Sequence, residues 1–218
     1  MGHLVSPSVL TADLGNLERE VNMLNGSLAD WIHLDIMDGV FVPNISFGFP
    51  VIERVKKASA KPLDVHLMIV DPERYLSDFQ KAGADILTVH YEACIHLQRT
   101  VTEIRNLGMK AGVAINPHTP VLLLKNILPY IDMVLIMTVN PGYGGQTFIM
   151  DCYNKVVELR KIIDRSGHGV LIEVDGGVDT KNASKLVKAG VDVLVAGNAI
   201  FSSHDPQETI MKLKKLVK

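Results

Sequence analysis

Short apolar segments that do not alternate with polar residues recur along the chain. They include Ile86-Leu87-Thr88-Val89, Met133-Val134-Leu135-Ile136-Met137, Val170-Leu171-Ile172 and Val193-Leu194-Val195-Ala196. A strand with one wet face alternates, whereas a strand apolar throughout must be covered on both faces, as in a parallel sheet flanked by helices. The stretches between these runs carry a helical period instead. Leu14, Leu17, Val21 and Leu24 fall on one face, as do Val156, Leu159 and Ile163, and again Ile210, Leu213 and Val217. The pattern predicts strands near 4–7, 31–35, 63–67, 86–90, 110–115, 133–137, 171–174 and 193–196. It predicts helices near 13–25, 49–58, 72–82, 96–106, 120–126, 153–165, 181–189 and 206–217. Strand and helix thus repeat about every 27 residues, the spacing of a closed barrel of βα units. The segments Lys81-Ala82-Gly83-Ala84-Asp85 and Lys188-Ala189-Gly190-Val191-Asp192 echo one another at the helix-to-strand junction. An open doubly wound sheet would place a glycine-rich turn after its first strand. Here Ser6 to Asp13 contain no glycine. The chain therefore reads as an α/β protein, a (β/α)8 TIM barrel forming a single domain over residues 1–218.

Two helix starts are marked by Asp71-Pro72-Glu73 and Asp205-Pro206-Gln207-Glu208, each an expected N-cap followed by Pro in the first turn. With 22 basic and 24 acidic residues the net charge is -2, which argues against nucleic acid as a partner. No apolar run is long enough for a membrane span, and residues 1–4 do not begin a secretory or myristoylation signal. Cys94 and Cys152 stand alone, in no pattern for a disulfide framework or a cysteine zinc site. The expected compartment is the cytoplasm.

The active site of such a barrel lies at the C-terminal ends of its strands. Strand two ends in His33-Leu34-Asp35-Ile36-Met37-Asp38-Gly39, strand three in Asp64-Val65-His66-Leu67-Met68, and strand seven in Glu173-Val174-Asp175-Gly176-Gly177. Residues two apart share a face, so His33, Asp35, His66 and Asp175 are expected to converge on one rim. Two imidazoles and two carboxylates suit zinc or another first-row divalent metal; taken singly, each is also an ordinary buried polar residue. Gly176-Gly177 after strand seven and Gly197-Asn198 after strand eight occupy the usual phosphate position of these barrels. There, glycine lets backbone N–H groups approach an anion closely. Gly142, Tyr143, Gly144 and Gly145 follow strand six and read as a lid over a substrate, with a simple long turn as the alternative.

These stretches, together with Ser6-Pro7-Ser8, Val40-Phe41-Val42-Pro43-Asn44, Asn116-Pro117-His118-Thr119-Pro120, Met137-Thr138-Val139-Asn140-Pro141 and Ala199-Ile200-Phe201, resemble the ribulose-phosphate 3-epimerases nearly end to end. Two departures are visible: Tyr143 and Asn198 stand where that family often has Phe and Ser. The resemblance implies inversion of carbon 3 between D-ribulose 5-phosphate and D-xylulose 5-phosphate through a metal-stabilised enediolate. It implies one divalent ion per subunit (zinc, iron, manganese or cobalt) on His33, Asp35, His66 and Asp175. Asp35 and Asp175 would be the two acid/bases, facing each other across the barrel mouth. Substrate contacts would come from Ser8, His66, Gly142, Tyr143, Gly144, Gly145, Gly176, Gly177, Gly197 and Asn198. A phosphorylated sugar is the expected small-molecule partner, and a homo-oligomer the expected assembly. A hexulose 6-phosphate 3-epimerase is the nearest alternative.

Met37, Met68 and Met137 either ring the intermediate, as the resemblance implies, or fill the core. Ser8 either contacts substrate or shapes the following turn. His90 reads as a structural histidine. His3, His96, His118, His168 and His204 read as surface residues, and Cys94 and Cys152 as plain thiols. Glu173 shares a face with Asp175 one layer deeper and lacks an evident partner.

Overall fold

The computed structural model describes residues 2–216. Eight parallel strands form the centre: β1 (Leu4–Pro7), β2 (Ile32–Met37), β3 (Leu63–Met68), β4 (Ile86–His90), β5 (Lys110–Ile115), β6 (Met133–Met137), β7 (Leu171–Asp175) and β8 (Val193–Ala196). Their order is β1-β8-β7-β6-β5-β4-β3-β2. A bridge between Ser8 and His33 joins β1 to β2 and closes the ring. The N–H of Asp30 also donates to the Val5 carbonyl, at 2.8 Å. All six residues of β2 and all six of β3 are buried, as strands covered on both faces should be.

Alternation then divides the strands into two interiors. Leu34, Ile36, Val65, Leu67, Val89 and Val134 face outward and pack against the helices. These are α1 (Leu17–Asn25), α2 (Phe49–Ala58), α3 (Leu76–Ala82), α4 (Leu97–Asn106), α5 (Cys152–Ser166), α6 (Ala183–Ala189), the short α7 (Asn198–Phe201) and α8 (Pro206–Lys214). Inside the barrel, Trp31, Ile86, Met133 and Val193 form an apolar plug at the N-terminal end. The next inward positions are polar: Ser6, Asp64, His33 and Glu173 are all fully buried. Gly112 belongs to this level: it pairs with Thr88 across β4 and β5, and a Cβ there would collide with the Thr88 hydroxyl.

Four aspartates repeat one device at the N-terminal end. Asp30, Asp85, Asp132 and Asp192 accept from the N–H of Val5, Leu63, Ala111 and Ile172 on the neighbouring strand, at 2.7–2.9 Å. Lys214, Lys56 and Arg160 pair with Asp30, Asp85 and Asp192. The echo between the Asp85 and Asp192 segments is the trace of this device in the sequence.

Several elements depart from expectation. The helix expected at 120–126 is only a 3-10 turn, Val121–Leu124, followed by a second at Leu128–Tyr130. Pro120 and Pro129 bracket the segment and cut it too short for α-helix. The helices expected at 13–25 and 72–82 begin as 3-10 turns, Leu14–Asn16 and Pro72–Arg74, before α1 and α3. Asp71 does not cap: it sits at φ 47° with no side-chain cap bond. Asp205 does cap, accepting from the Glu208 N–H at 2.9 Å. Val217 lies outside the described residues. His3 is buried rather than on the surface, with Nε2 2.6 Å from the Leu213 carbonyl of α8. The packing of β1 against α8 carries it inside. His96, His118, His168 and His204 are exposed as expected. No helix among the described residues is long and apolar enough to cross a membrane.

Candidate active site and metal centre

His33 and Asp35 on β2, His66 on β3 and Asp175 at the end of β7 come together at the C-terminal end of the barrel. One ligand atom from each lies within 4.8 Å of the others. The register explains the meeting, since Asp35 pairs directly with His66 across β2 and β3. Above them opens a cavity of about 240 Å³. Asp35 and Asp175 line it, Met37, Met68 and Met137 contribute thioether walls, and no Lys or Arg is among its lining residues. His33 and His66 are fully buried beneath and do not line the cavity themselves.

The hydrogen bonds around this cluster leave a gap suited to a cation. His33 Nδ1 lies 2.6 Å from Asp64 Oδ2, while its Nε2 has no hydrogen-bond partner although it lies 3.3 Å from Asp35 Oδ1. His66 Nδ1 lies 3.1 Å from the same Asp35 oxygen. An imidazole donating through Nδ1 keeps a lone pair on Nε2. A buried, unpartnered nitrogen beside a carboxylate oxygen, with a second imidazole and a second carboxyl close by, is a donor set that fits a first-row divalent ion.

Without a metal the same groups share protons. Burial alone would lower His33, but the charges of Asp64 and Asp35 push it well above the ordinary histidine range. Burial alone would raise Asp35, but His33 and His66 overcome it and hold the carboxyl far below the usual range. Burial brings His66 down to about 4. Burial, then repulsion from Asp35, raises Asp175 to about 7. Without a metal, the two carboxyls of this site thus differ in proton affinity.

The glycine turns orient backbone donors. The Thr138 hydroxyl donates to the carbonyls of Asp175 and Gly176, at 2.8 and 2.5 Å. A trans peptide places the next N–H opposite its carbonyl, so the Gly177 N–H points away from Thr138. The Ala196 carbonyl accepts from Ser8 N, and the Gly197 carbonyl accepts from Ile200 and Phe201 N. By the same geometry, the N–H groups of Gly197 and Asn198 face away from those bonds. Gly177 has φ 64°, and a Cβ there would lie 2.7 Å from Phe148 N. The Asn198 side chain turns back to accept from Ser202 Oγ at 2.8 Å.

The segment after β6 folds over this mouth. The Tyr143 hydroxyl donates to the Pro43 carbonyl at 2.7 Å, and Asn44 Nδ2 donates to the Gly142 carbonyl at 2.9 Å. Gln146 Nε2 braces it from within, donating to the Asn140 and Tyr143 carbonyls. Gly144 sits where a Cβ would meet the Thr11 methyl at 2.5 Å. Ser8 lines the cavity, and its hydroxyl donates to Asp35 Oδ2 at 2.5 Å while accepting from Leu10 N. Both readings of Ser8 thus have a structural counterpart.

His90 exceeds a purely structural reading. Its Nε2 lies 2.9 Å from His66 Nε2, and its Nδ1 lies 3.1 Å from Glu92 Oε2. Glu173 groups with Asp64 and His33, one ligand atom of each within 4.8 Å of the others, yet neither of its oxygens is hydrogen-bonded among the described residues. Burial and the charge of Asp64 push it well above the usual carboxyl range. Asp64 and Glu92 are not singled out by the sequence. The parity of Asp64 with His66 was an available signal; Glu92 follows its strand and offered none. Burial raises the Cys94 thiol to about 12 and raises Cys152 as well, so both stay protonated thiols at neutral pH.

Comparison with known proteins shows the family. The Ribulose-phosphate 3 epimerase family pattern matches residues 4–201. A ribulose-phosphate 3-epimerase of Bacillus subtilis (strain 168) is 47% identical over 211 residues, covering 96% of this chain and 97% of the relative. A chloroplastic ribulose-5-phosphate-3-epimerase of Arabidopsis thaliana is 49% identical, covering 97% of this chain and 76% of the relative. The crystal structure of KGPDC from Streptococcus mutans superposes with a TM-score of 0.76 at 15% identity, covering 100% of both chains, which bears on fold alone. By these matches along its sequence, the chain belongs to the ribulose-phosphate 3-epimerase family.

Proposed function

We propose that the chain interconverts D-ribulose 5-phosphate and D-xylulose 5-phosphate by inverting carbon 3. The observation that carries this reading is the meeting of Asp35 and Asp175 with His33 and His66 beneath the cavity. Carbon 3 is adjacent to the C2 ketone, so removing its proton gives an enediolate. A divalent ion (zinc, iron, manganese or cobalt) on His33, Asp35, His66 and Asp175 would supply a Lewis acid that polarises the ketone oxygen.

Inversion requires a proton to leave one face and return on the other. Asp35 and Asp175 are assigned to the two faces: for one epimer Asp35 removes the carbon-3 proton as general base and Asp175 returns one as general acid. One turnover leaves Asp35 protonated and Asp175 ionised, which is the starting state for the reverse direction. The Ser8 hydroxyl orients the Asp35 carboxylate. His33 is oriented in turn by Asp64. Met37, Met68 and Met137 exclude water with polarisable groups. The substrate phosphate is assigned to the backbone N–H groups of Gly177, Gly197 and Asn198, with Gly176 shaping the first turn. Gly142, Tyr143, Gly144 and Gly145 close over the sugar. His66 acts from beneath Asp35.

The hexulose 6-phosphate alternative is not favoured, because the highly identical relatives are named for ribulose phosphate. A cytoplasmic homo-oligomer remains the proposed setting on the sequence grounds above, although one relative is chloroplastic. The test is a coupled assay on D-ribulose 5-phosphate. Exhaustive chelation should abolish turnover and added divalent metal should restore it. Full activity in metal-free protein would remove the metal role, and no turnover with metal present would remove the substrate assignment.

A further inference from the structure

We propose that Glu92 is a positioning residue for this centre: acting through His90, it sets the tautomer and ring orientation of His66, so that Nδ1 presents its lone pair to the cation. The inference rests on His66 being a ligand, as proposed above.

The argument follows a chain of contacts leading away from Asp35. His66 Nδ1 faces Asp35 at 3.1 Å, and Nε2 faces His90 Nε2 at 2.9 Å. Two imidazole nitrogens that close need one donor and one acceptor. His90 Nδ1 faces Glu92 Oε2 at 3.1 Å. The other Glu92 oxygen accepts from the Asn116 N–H at 2.8 Å and from the Thr119 hydroxyl. Burial alone would raise Glu92, but His90, Thr119 and Asn116 bring it down to about 2. Glu92 is therefore a carboxylate and can only accept. His90 then carries its proton on Nδ1 and accepts on Nε2. His66 must donate through Nε2, which leaves Nδ1 bare toward Asp35. Two acceptors so placed call for a cation.

The surroundings keep this order rigid. His66 and His90 are fully buried. The Phe41 ring packs on His90 at 4.6 Å between centroids. Lys155 Nζ, at 2.5 Å from the Asn116 carbonyl and 3.2 Å from that of Pro117, holds the turn that supplies the Glu92 donors. Carboxylates placed behind metal-bound histidines are known to orient the ring in this manner.

Glu92→Gln makes a sharp test. The Asn116 N–H and the Thr119 hydroxyl both need an acceptor, so the amide oxygen takes their side and the NH₂ group turns to His90 Nδ1. That reverses every donor down the line and places a proton on His66 Nδ1. Chelator competition with Co²⁺ on the full chain should then show affinity weakened about 10–100-fold. Glu92→Asp, which keeps the acceptor, should recover most of it. Equal Co²⁺ affinity in wild type and Glu92→Gln would overturn the positioning role alone. Failure of the wild type to bind Co²⁺ would overturn the metal reading as well. Long-range ¹H–¹⁵N spectra of the wild-type chain test the same point without a variant. A His90 proton on Nδ1 supports the proposal, and a proton on Nε2 overturns it even if Glu92→Gln does not fold.

Discussion

Asp35 and Asp175 carry the same functional group and end with opposite proton affinities, because of what flanks each. Asp35 lies against two imidazoles and the Ser8 hydroxyl; Asp175 is raised by burial and by Asp35 itself. The difference gives Asp175→Asn a specific outcome. Epimerisation should fall by about 10²–10⁴-fold, the usual contribution of a general acid–base group. With metal still bound, Asp35 should still exchange the carbon-3 proton of the epimer it faces. Proton NMR in heavy water would show deuterium entering one epimer without conversion to the other. Epimerisation near the wild-type rate would reject the two-base assignment. Asp35 and Asp175 were legible in the sequence because each stands at a strand end, where parity places Asp35 with His33 and Asp175 with Glu173. Glu92 was not, since its link to the site runs through a contact between two histidines of different strands.

Among the elements, the strands are tied to one another at their N-terminal ends by the four repeated aspartates. Asp132 is the plainest case, with its carboxylate on the Ala111 N–H at 2.8 Å and, unlike the other three, no ion-pair partner among the described residues. Hydrogen bonds to charged groups contribute about 1.5–3 kcal/mol. Asp132→Ala should therefore lower unfolding free energy by about that amount in urea denaturation, with kcat unchanged because the site lies at the opposite end of the barrel. A loss below about 0.5 kcal/mol, the usual scatter of surface substitutions, would show that the carboxylate does not hold the strand. The 3-10 turn after β5 teaches the converse. Val121 and Leu124, three apart, are buried, while the adjacent Leu122 and Leu123 are half-exposed or more, so a single turn covers the core here and no second turn is needed.

The whole molecule couples metal, proton and stability. Asp175 is raised in the folded protein, so its contribution in metal-free protein is full below the ordinary carboxylate pKa and is lost as pH rises through about 7. A metal reverses the sign, because it needs the ionised form. Its affinity should thus fall as pH drops below about 7. At a free metal concentration 100 times Kd, stabilisation is about 2.7 kcal/mol, or roughly 5–11 °C in Tm for a domain of this size. Calorimetry with and without metal should show this shift at pH 8, shrinking at pH 5.5. A shift equal at both would remove proton–metal competition from the site.

Local sequence determined the alternation of strand and helix and which side chains share a strand face. Those properties depend on periods of two and 3.6 residues, which a linear pattern carries. It also marked the glycine turns, since positive φ at Gly176 and Gly177 is a local demand. Tertiary structure alone decided which strand faces meet, through the parallel register that sets Asp35 beside His66. It decided that Asp64 and Glu92 stand behind the two histidines, that His3 is buried, and that two aspartates differ in proton affinity. Each of these depends on distances between groups remote in sequence and on the exclusion of water around them, and neither quantity exists until the barrel closes.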